Sequence, residues 1–524
     1  MVVDTTDSNS SNNNGGVEAQ QCGRDRLSEL PDDVLLLVLG KLGHDVRQLA
    51  RTCVLSKRWR SLPLMLPRLS LSTDCSFLAA IPDPDSTPPL SMRCLHQATS
   101  KLTDALRFFL DTPADGQRRD IRRLRLHFYL TKHRRCLHEI GRLVSAAVAR
   151  GEVHTLEVEL DTPLDTDSVQ AMPEDTVPLG YGRRFMRLLR AAPPAVVGSA
   201  LRRLSLQNLC FRRAADLEGA LRACEALETL LLTYCWLAPS SALRVDAPRS
   251  RLRVLVVTEC FVDRVDVVQA PELRDLTCDR WLCQACPVRF GPAAAPSLEK
   301  MTLKNKAAPG QLSFKLSELL ENANPSEYLY PDFVTGRVWV QPENRSDLAV
   351  AFSKLKRLHV KNTPAAASGF SWIMFFIKAA PLLEYLNVRV CQYPVCGGEC
   401  ADSDDDNDDD GSHHQDLQWD MSQHFERHHL QTVKIRGGID PDRDTGFVRL
   451  VVERAVNLEL LLLDARIICP NCVAAKEQDP SLVPSRFPED EVGIDAFVRQ
   501  IKDGIPTSAR IIVRSPYNKE EFEY

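Results

Sequence analysis

Leu201-Arg202-Arg203-Leu204-Ser205-Leu206 is one copy of a Leu-x-x-Leu-x-Leu figure that returns along most of this chain. Its last three residues alternate apolar, polar, apolar, which reads as a short strand with one face buried. The figure recurs at Leu227/Leu230/Leu232, Leu252/Leu255/Val257, Leu273/Leu276/Cys278, Leu298/Met301/Leu303, Leu355/Leu358/Val360, Leu383/Leu386/Val388, Leu430/Val433/Ile435 and Leu458/Leu461/Leu463. Looser copies stand at Leu66/Leu69/Leu71, Ile121/Leu124/Leu126 and Val153/Leu156/Val158. From 204 the middle residues step by 26, 25, 21 and 25, within the ~20–29-residue period of stacked strand-plus-return units. Such a unit cannot cover its own apolar side, so units stack and bury a continuous ladder. The expected fold is α/β: a curved solenoid, with helical return segments such as His138 to Ala149.

The step from 386 to 433 is too long, at 47 residues. Its surplus is visible at residues 396–416, with seven aspartates between Asp402 and Asp410, and reads as a solvated acidic insert. Residues 1–23 are rich in Ser, Asn, Asp and Gly and read as a disordered tail, unlike a signal or transit peptide. The organisation expected is therefore tail 1–23, a helical cap 24–64, repeats 65–395, insert 396–416 and further repeats 417–524.

The cap spans Asp25 to Leu62, DRLSELPDDVLLLVLGKLGHDVRQLARTCVLSKRWRSL. Pro31 suits a first helical turn, and Asp32 and Asp33 suit the positive end of the dipole. Val34, Val38 and Leu42 on one side, with Leu35, Leu39 and Leu42 beside them, make this helix apolar over much of its circumference. A second helix is expected from Asp45, with Val46, Leu49, Ala50 and Cys53 as its stripe, and a third short turn capped by Ser56 that carries Trp59. About forty residues cannot hide that much Leu, Val and Trp internally, so the surplus is read as a protein interface.

These residues resemble the F-box of the large plant families, through LPDDVLLLVLGKL and RTCVLSKRWRSL. The repeats resemble the irregular leucine-rich repeats that follow plant F-boxes, and HHLQTVKIRGGIDPDRDTGFVRLVVERAVNLELLLLDA is similar to the FBD-type C-terminal region. The resemblance implies docking on a Skp-type adaptor, and through it on a cullin-RING (SCF) ubiquitin ligase, with the repeats holding a protein substrate. The adaptor-facing residues it implies are Leu30, Pro31, Val34, Leu35, Val38, Leu39, Leu42, Val54, Leu55, Ser56, Trp59 and Arg60. The alternative is a leucine-rich interaction scaffold not coupled to a ligase.

Composition agrees with such a role and narrows others. Of 524 residues 44% are hydrophobic, and the net charge of −5 gives no general reason to expect nucleic-acid or membrane binding. The apolar run Trp372 to Ile377 falls well short of a ~20-residue membrane span. Seventeen cysteines sit singly in apolar segments, which suits buried thiols in a reducing compartment, cytoplasm or nucleus. No metal or cofactor is expected. Asp406, Asp408, Asp410 and Gly411 open like a calcium loop, but Leu417 stands where the bidentate Glu is needed. His413, His414, His424, His428 and His429 cluster with Cys391, Cys396 and Cys400, and Cys283-x-x-Cys286 and Cys469-x-x-Cys472 have the two-ligand spacing of zinc sites, but each pair lacks a second pair at the usual distance. Phosphate-loop, HExxH and G-x-S-x-G motifs are absent, so no enzyme is expected.

Residues between the ladder leucines point to the opposite, concave face, where repeat proteins bind. They are mild early on (Ser205, Thr229, Leu231, Val254, Val256, Thr277) and basic later: Lys300, Lys304, Arg357, His359, Lys361, Arg389, Lys434 and Arg436. A basic stripe of this kind favours an acidic or phosphorylated target segment or a polyanionic small molecule. The acidic insert is expected to compete for it from within the chain.

Overall fold

Each copy of the repeat figure ends in a strand of one sheet, and the sheet follows chain order from end to end. Its strands are β1 Arg68–Ser72, β2 Arg123–Tyr129, β3 Leu156–Asp161, β4 Leu201–Gln207, β5 Thr229–Thr233, β6 Val254–Thr258, β7 Asp275–Asp279, β8 Lys300–Asn305, β9 Tyr328–Phe333, β10 Arg357–Pro364, β11 Tyr385–Cys391, β12 Thr432–Arg436, β13 Leu460–Asp464, β14 Arg510–Arg514 and β15 Glu521–Glu523. All neighbours are parallel except β14 and β15. The computed structural model describes residues 29–42, 49, 51–73, 92–111, 119–130, 134–162, 180–190, 194–237, 241–281, 283, 286–305, 312–323, 327–334, 338–364, 372–391, 425–466, 473, 487–516 and 521–523. The chain divides into two compact units, Met1–Leu66 and Pro67–Tyr524. The tail 1–23 and the acidic insert 396–416 lie outside the described residues.

Register turns the repeat into a ladder. Leu204, Leu230, Leu255, Leu276, Met301, Leu329, Leu358, Leu386, Val433, Leu461 and Ile511 stand in line across eleven strands. All are buried. At ~25 cal/mol per Å² of apolar area, each full leucine contributes roughly 2 kcal/mol, and only stacking makes that burial available.

Two parallel strands, besides the short antiparallel β15, escaped the sequence pattern. β9 would need the figure at Ser326/Leu329/Pro331 and β14 at Ser508/Ile511/Val513, so both lack the leading Leu. Pro331 has no N–H to give, and the β9–β10 pairing skips Tyr330 and Pro331 before resuming at Asp332 and Lys361. The 57 residues from 301 to 358 therefore hold two ordinary steps, of 28 and 29, and the step from 386 to 433 is not the longest gap between recognisable copies.

The layer beneath the ladder changes along the sheet. Helices Met92–Asp111, Arg134–Ala149, Gly180–Arg190, Pro194–Ala200 and Ala214–Ala223 pack beside one another under the first strands. In the middle the expected helical returns are strands instead: Ala242–Asp246, Arg264–Gln269 and Val288–Phe290 form a parallel ribbon. The short steps there explain the change. Extended chain covers ~3.3 Å per residue against 1.5 Å in a helix, so a tight return recrosses the sheet only when extended. Helices resume after β8, among them Ile373–Ala379, Pro441–Arg454 and Glu491–Lys502. No helix among the described residues is long and apolar enough to cross a membrane.

The chain leaves β4 through β7 by a repeated corner: Asn208, Tyr234, Glu259 and Arg280 each follow a strand with φ between 49° and 56°. Tyr234 donates its hydroxyl to Glu259 at 2.9 Å and Arg280 pairs with Glu259, tying successive corners together. At the end of β3 the Asp161 carboxylate accepts from the Thr162 N–H at 2.6 Å and from Asn208 Nδ2 at 3.2 Å. Burial outweighs both bonds and pushes its carboxyl up to about 6. The fold thus favours the protonated form, and stability falls as pH rises from about 4 through 6. Asp161→Asn keeps the accepting oxygen without the charge. It should stabilise the protein by about 1–2 kcal/mol at pH 7 and not at pH 4, read as the melting-temperature difference between the two pH values.

Candidate functional site

The N-terminal unit is built on helix α1, Asp32–Leu42, and helix α2, Lys57–Ser61, both packed on the 3-10 turn Leu62–Met65. Ser56 caps α2, its hydroxyl accepting from the Trp59 N–H at 3.3 Å. Arg58 clamps α2 to the start of α1, with Nη2 2.6 Å from Asp32 Oδ1 and 2.6 Å from the Leu30 carbonyl. Leu49, Arg51 and Thr52 are helical, while most of the expected second helix, and the side chain of Leu42, lie outside the described residues.

Burial divides the residues expected to face an adaptor. Leu35 and Leu39 are fully buried and Trp59 is 5% exposed, so these three are core of the unit and not its surface. Trp59 is the anchor of this small core, where a two-helix contact has little else of its size to fill the space. Leu30 and Val34 are half-buried, while Pro31, Val38, Val54, Leu55, Ser56 and Arg60 are exposed. Leu37, 73% exposed, joins them and was missed. The 100° helical step was the available signal: with Leu35 and Leu39 inward, Val34, Leu37 and Val38 at i, i+3 and i+4 must share another face. Val54 and Leu55 are 81% and 63% exposed. Gly40 is exposed within α1, and a Cβ there would meet nothing within 4 Å. Gly40→Ala should therefore raise stability by about 0.5–1 kcal/mol in a denaturant titration, from helix propensity alone.

The second surface is the open face of the sheet. Lys300, Tyr328, Arg357, Tyr385 and Thr432 share one register line, and His359, Asn387 and Lys434 share the next. Arg389 and Arg436 are register partners, as are Asp332 and Lys361. All eight basic residues named from sequence lie on strands β8 and β10–β12 of this sheet, but they are not electrostatically alike. Lys300 is paired with Asp275 at 2.7 Å and Lys304 with Asp279 at 3.3 Å, so the expected basic stripe is neutralised where it begins. Sequence counting missed this because those acids belong to the neighbouring strand. It also missed the tyrosines: Tyr330 stacks on His359 at 4.4 Å, Tyr385 lies tilted against His359 at 5.1 Å, and Lys434 is 5.4 Å from the Tyr385 ring. Burial, then Lys361, Arg357, Arg436 and Lys434, press the His359 imidazole down to about 4, so it is neutral at pH 7.

Among the described residues no group of three or more His, Cys, Asp or Glu could hold a metal ion. Cys286 donates to the Val288 carbonyl at 3.1 Å, and burial pushes its thiol up to about 11. Cys469 and Cys472 lie outside the described residues, as do Cys396, Cys400, His413, His414 and His424.

Comparison with known proteins bears on the repeats. A family model for the leucine-rich repeats of FBD-associated F-box protein At5g56370 matches residues 158–314. F-box/FBD/LRR-repeat protein At2g04230 of Arabidopsis thaliana is 27% identical over 212 residues, 40% of this chain and 42% of the relative. F-box/FBD/LRR-repeat protein At3g52680 of the same plant is 46% identical over 52 residues, 10% of this chain and 11% of the relative. The matches thus span less than half the length of either relative. With its parallel sheet in repeat register and these sequence matches, the chain is similar to the plant F-box proteins that carry leucine-rich repeats and an FBD region.

Proposed function

We propose that the chain is a substrate receptor of an SCF-type ubiquitin ligase, acting in cytoplasm or nucleus without chemistry of its own. The observation that carries this is the exposed apolar set Leu37, Val38, Val54 and Leu55 on a small helical unit. A solvated helical cap gains nothing from such side chains, whereas four exposed apolar side chains on one small unit suit a partner that covers them. The F-box naming of the relatives supports a Skp-type adaptor as that partner. The repeats then hold the target, and transfer is accelerated because the target's lysines are kept at high effective concentration beside a ligase-bound ubiquitin carrier.

Co-expression of the full chain with a Skp-type adaptor tests the reading. Stoichiometric co-purification through size exclusion is expected. A folded chain that elutes free of the adaptor at micromolar concentration would leave an uncoupled interaction scaffold as the better description.

A further inference from the structure

We infer that the open face across β10–β12 binds a phosphorylated serine or threonine segment of the target protein, with the phosphoryl dianion seated between Arg389 and Arg436. The inference rests on the receptor reading above and supplies the chemistry of its target.

Among the described residues the cations here make no ion pair, while those on either side do. Towards the N-terminus Lys300 and Lys304 are spent on Asp275 and Asp279. Towards the C-terminus Asp464 holds Arg466 at 2.7 Å and Arg514 at 3.7 Å. Between these borders Arg357, Lys361, Arg389, Lys434 and Arg436 make no ion pair among the described residues. Two acids stand beside them in register: Asp332, opposite Lys361 and bonded by Asn362 Nδ2, and Asp464, opposite Arg436 and engaged by Arg466 and Arg514. Five cations beside two carboxylates, one of them already shared by Arg466 and Arg514, leave an excess of positive charge that is costly to keep unless something anionic visits it.

Geometry narrows the visitor. Arg389 and Arg436 face each other across one strand spacing, about 4.8 Å, and their Nε atoms are buried without a hydrogen-bond acceptor. Two guanidinium forks borne on register partners match a group with three acceptor oxygens and a double charge, and one carboxylate would satisfy only one of them. Lys434 stands two residues before Arg436 on the same strand, on the same face. Asn387 Nδ2 is 3.4 Å from His359 Nδ1, and as donor to that nitrogen it leaves the ring proton on Nε2, a further donor. His359 lies between the rings of Tyr330 and Tyr385, with Lys300 and Lys361 beside Tyr330 and Lys434 beside Tyr385, so the rings are already engaged by one another and by cations, which is unsuited to stacking on a base.

The surface is also open. The cavities lined by Val257, Cys278 and Trp281 and by Leu126, Phe128 and Phe185 are apolar, and none of these cations lines them. A small molecule prefers an enclosed site, whereas an extended peptide lying across three strands suits a face about 10 Å by 13 Å, from Arg357 and Lys361 to Arg436.

The test uses the full chain and a fluorescein-labelled degenerate decapeptide pool with one fixed central phosphoserine, read by fluorescence anisotropy. The phosphorylated pool should bind at least 10-fold more tightly than its unphosphorylated twin. R389Q/R436Q should lose at least 10-fold, and K300Q/K304Q, whose charges are already neutralised, less than 2-fold. Equal binding of the two pools, or retention of binding by R389Q/R436Q, overturns the inference. So does inorganic phosphate that competes as well as the peptide, because the site then takes the free ion. A second readout does not depend on the arginine variant folding. His359 faces Tyr330 on β9, Arg357 and Lys361 on β10, Tyr385 and Asn387 on β11, and Lys434 and Arg436 on β12. A dianion there should raise its NMR titration midpoint by at least one pH unit, with H359Q assigning the signal, and an unmoved midpoint counts against the seat. Adaptor co-purification is scored on the same preparation. Capture of adaptor without phosphopeptide binding sinks this inference alone, and phosphopeptide binding without adaptor capture sinks the receptor reading alone.

Discussion

Leu37→Asp combined with Leu55→Asp is expected to abolish capture of a Skp-type adaptor while leaving the protein folded. The two leucines are 73% and 63% exposed, so neither contributes much to the free protein, and surface changes of this kind usually shift stability by about 0.5 kcal/mol or less. Covered by a partner, each would contribute about 1.5–2 kcal/mol, and an aspartate in its place adds a charge that the interface must desolvate. A combined loss of at least ~4 kcal/mol corresponds to roughly 1,000-fold in affinity. Trp59→Ala provides the opposite signature. That side chain is core, and truncation should cost about 3–5 kcal/mol and unfold the N-terminal unit, so any loss of adaptor follows loss of structure. Binding by surface plasmon resonance together with circular dichroism separates the two. Nanomolar capture by the Leu37/Leu55 double variant would remove this surface from the interface.

Gly437→Ala should be strongly destabilising for a single added methyl. Gly437 follows β12 with φ +86°, where an L side chain is strained, and a Cβ built there lies 2.4 Å from the Val390 carbonyl oxygen of β11. That oxygen is backbone and cannot swing aside, and the Gly437 N–H is itself engaged by the Asp464 carbonyl at 2.7 Å. Left-handed backbone costs roughly 1–2 kcal/mol and the forced shift of β11 against β12 adds to it, for a total of about 3–5 kcal/mol. Urea unfolding of the full chain measures it, and a midpoint within error of the parent would contradict the close approach. Because β11 and β12 carry Arg389 and Arg436, the same variant should weaken phosphopeptide binding as the two strands separate.

The repeat sheet was legible in the sequence because its code is local. An apolar residue three before the ladder position, and alternation after it, announce twelve of the strands, and stacking is the only way such units bury their apolar sides. β9 and β14 stayed hidden because neighbours impose their conformation: Ser326, Pro331 and Ser508 break the figure, and Leu329 and Ile511 are in the ladder by register with the strands beside them. Likewise the apolar circumference of α1 was plain, but which leucines faced outward depended on where Trp59 and the Leu62–Met65 turn packed.

Charge shows the same division. Composition along the strands determined that basic residues gather late in the repeats, and that much belongs to the sequence. Which of them remain unpaired was decided by strand neighbours 25 residues apart, Asp275 beside Lys300 and Asp279 beside Lys304, because an ion pair depends on distances of about 4 Å that only the folded sheet sets.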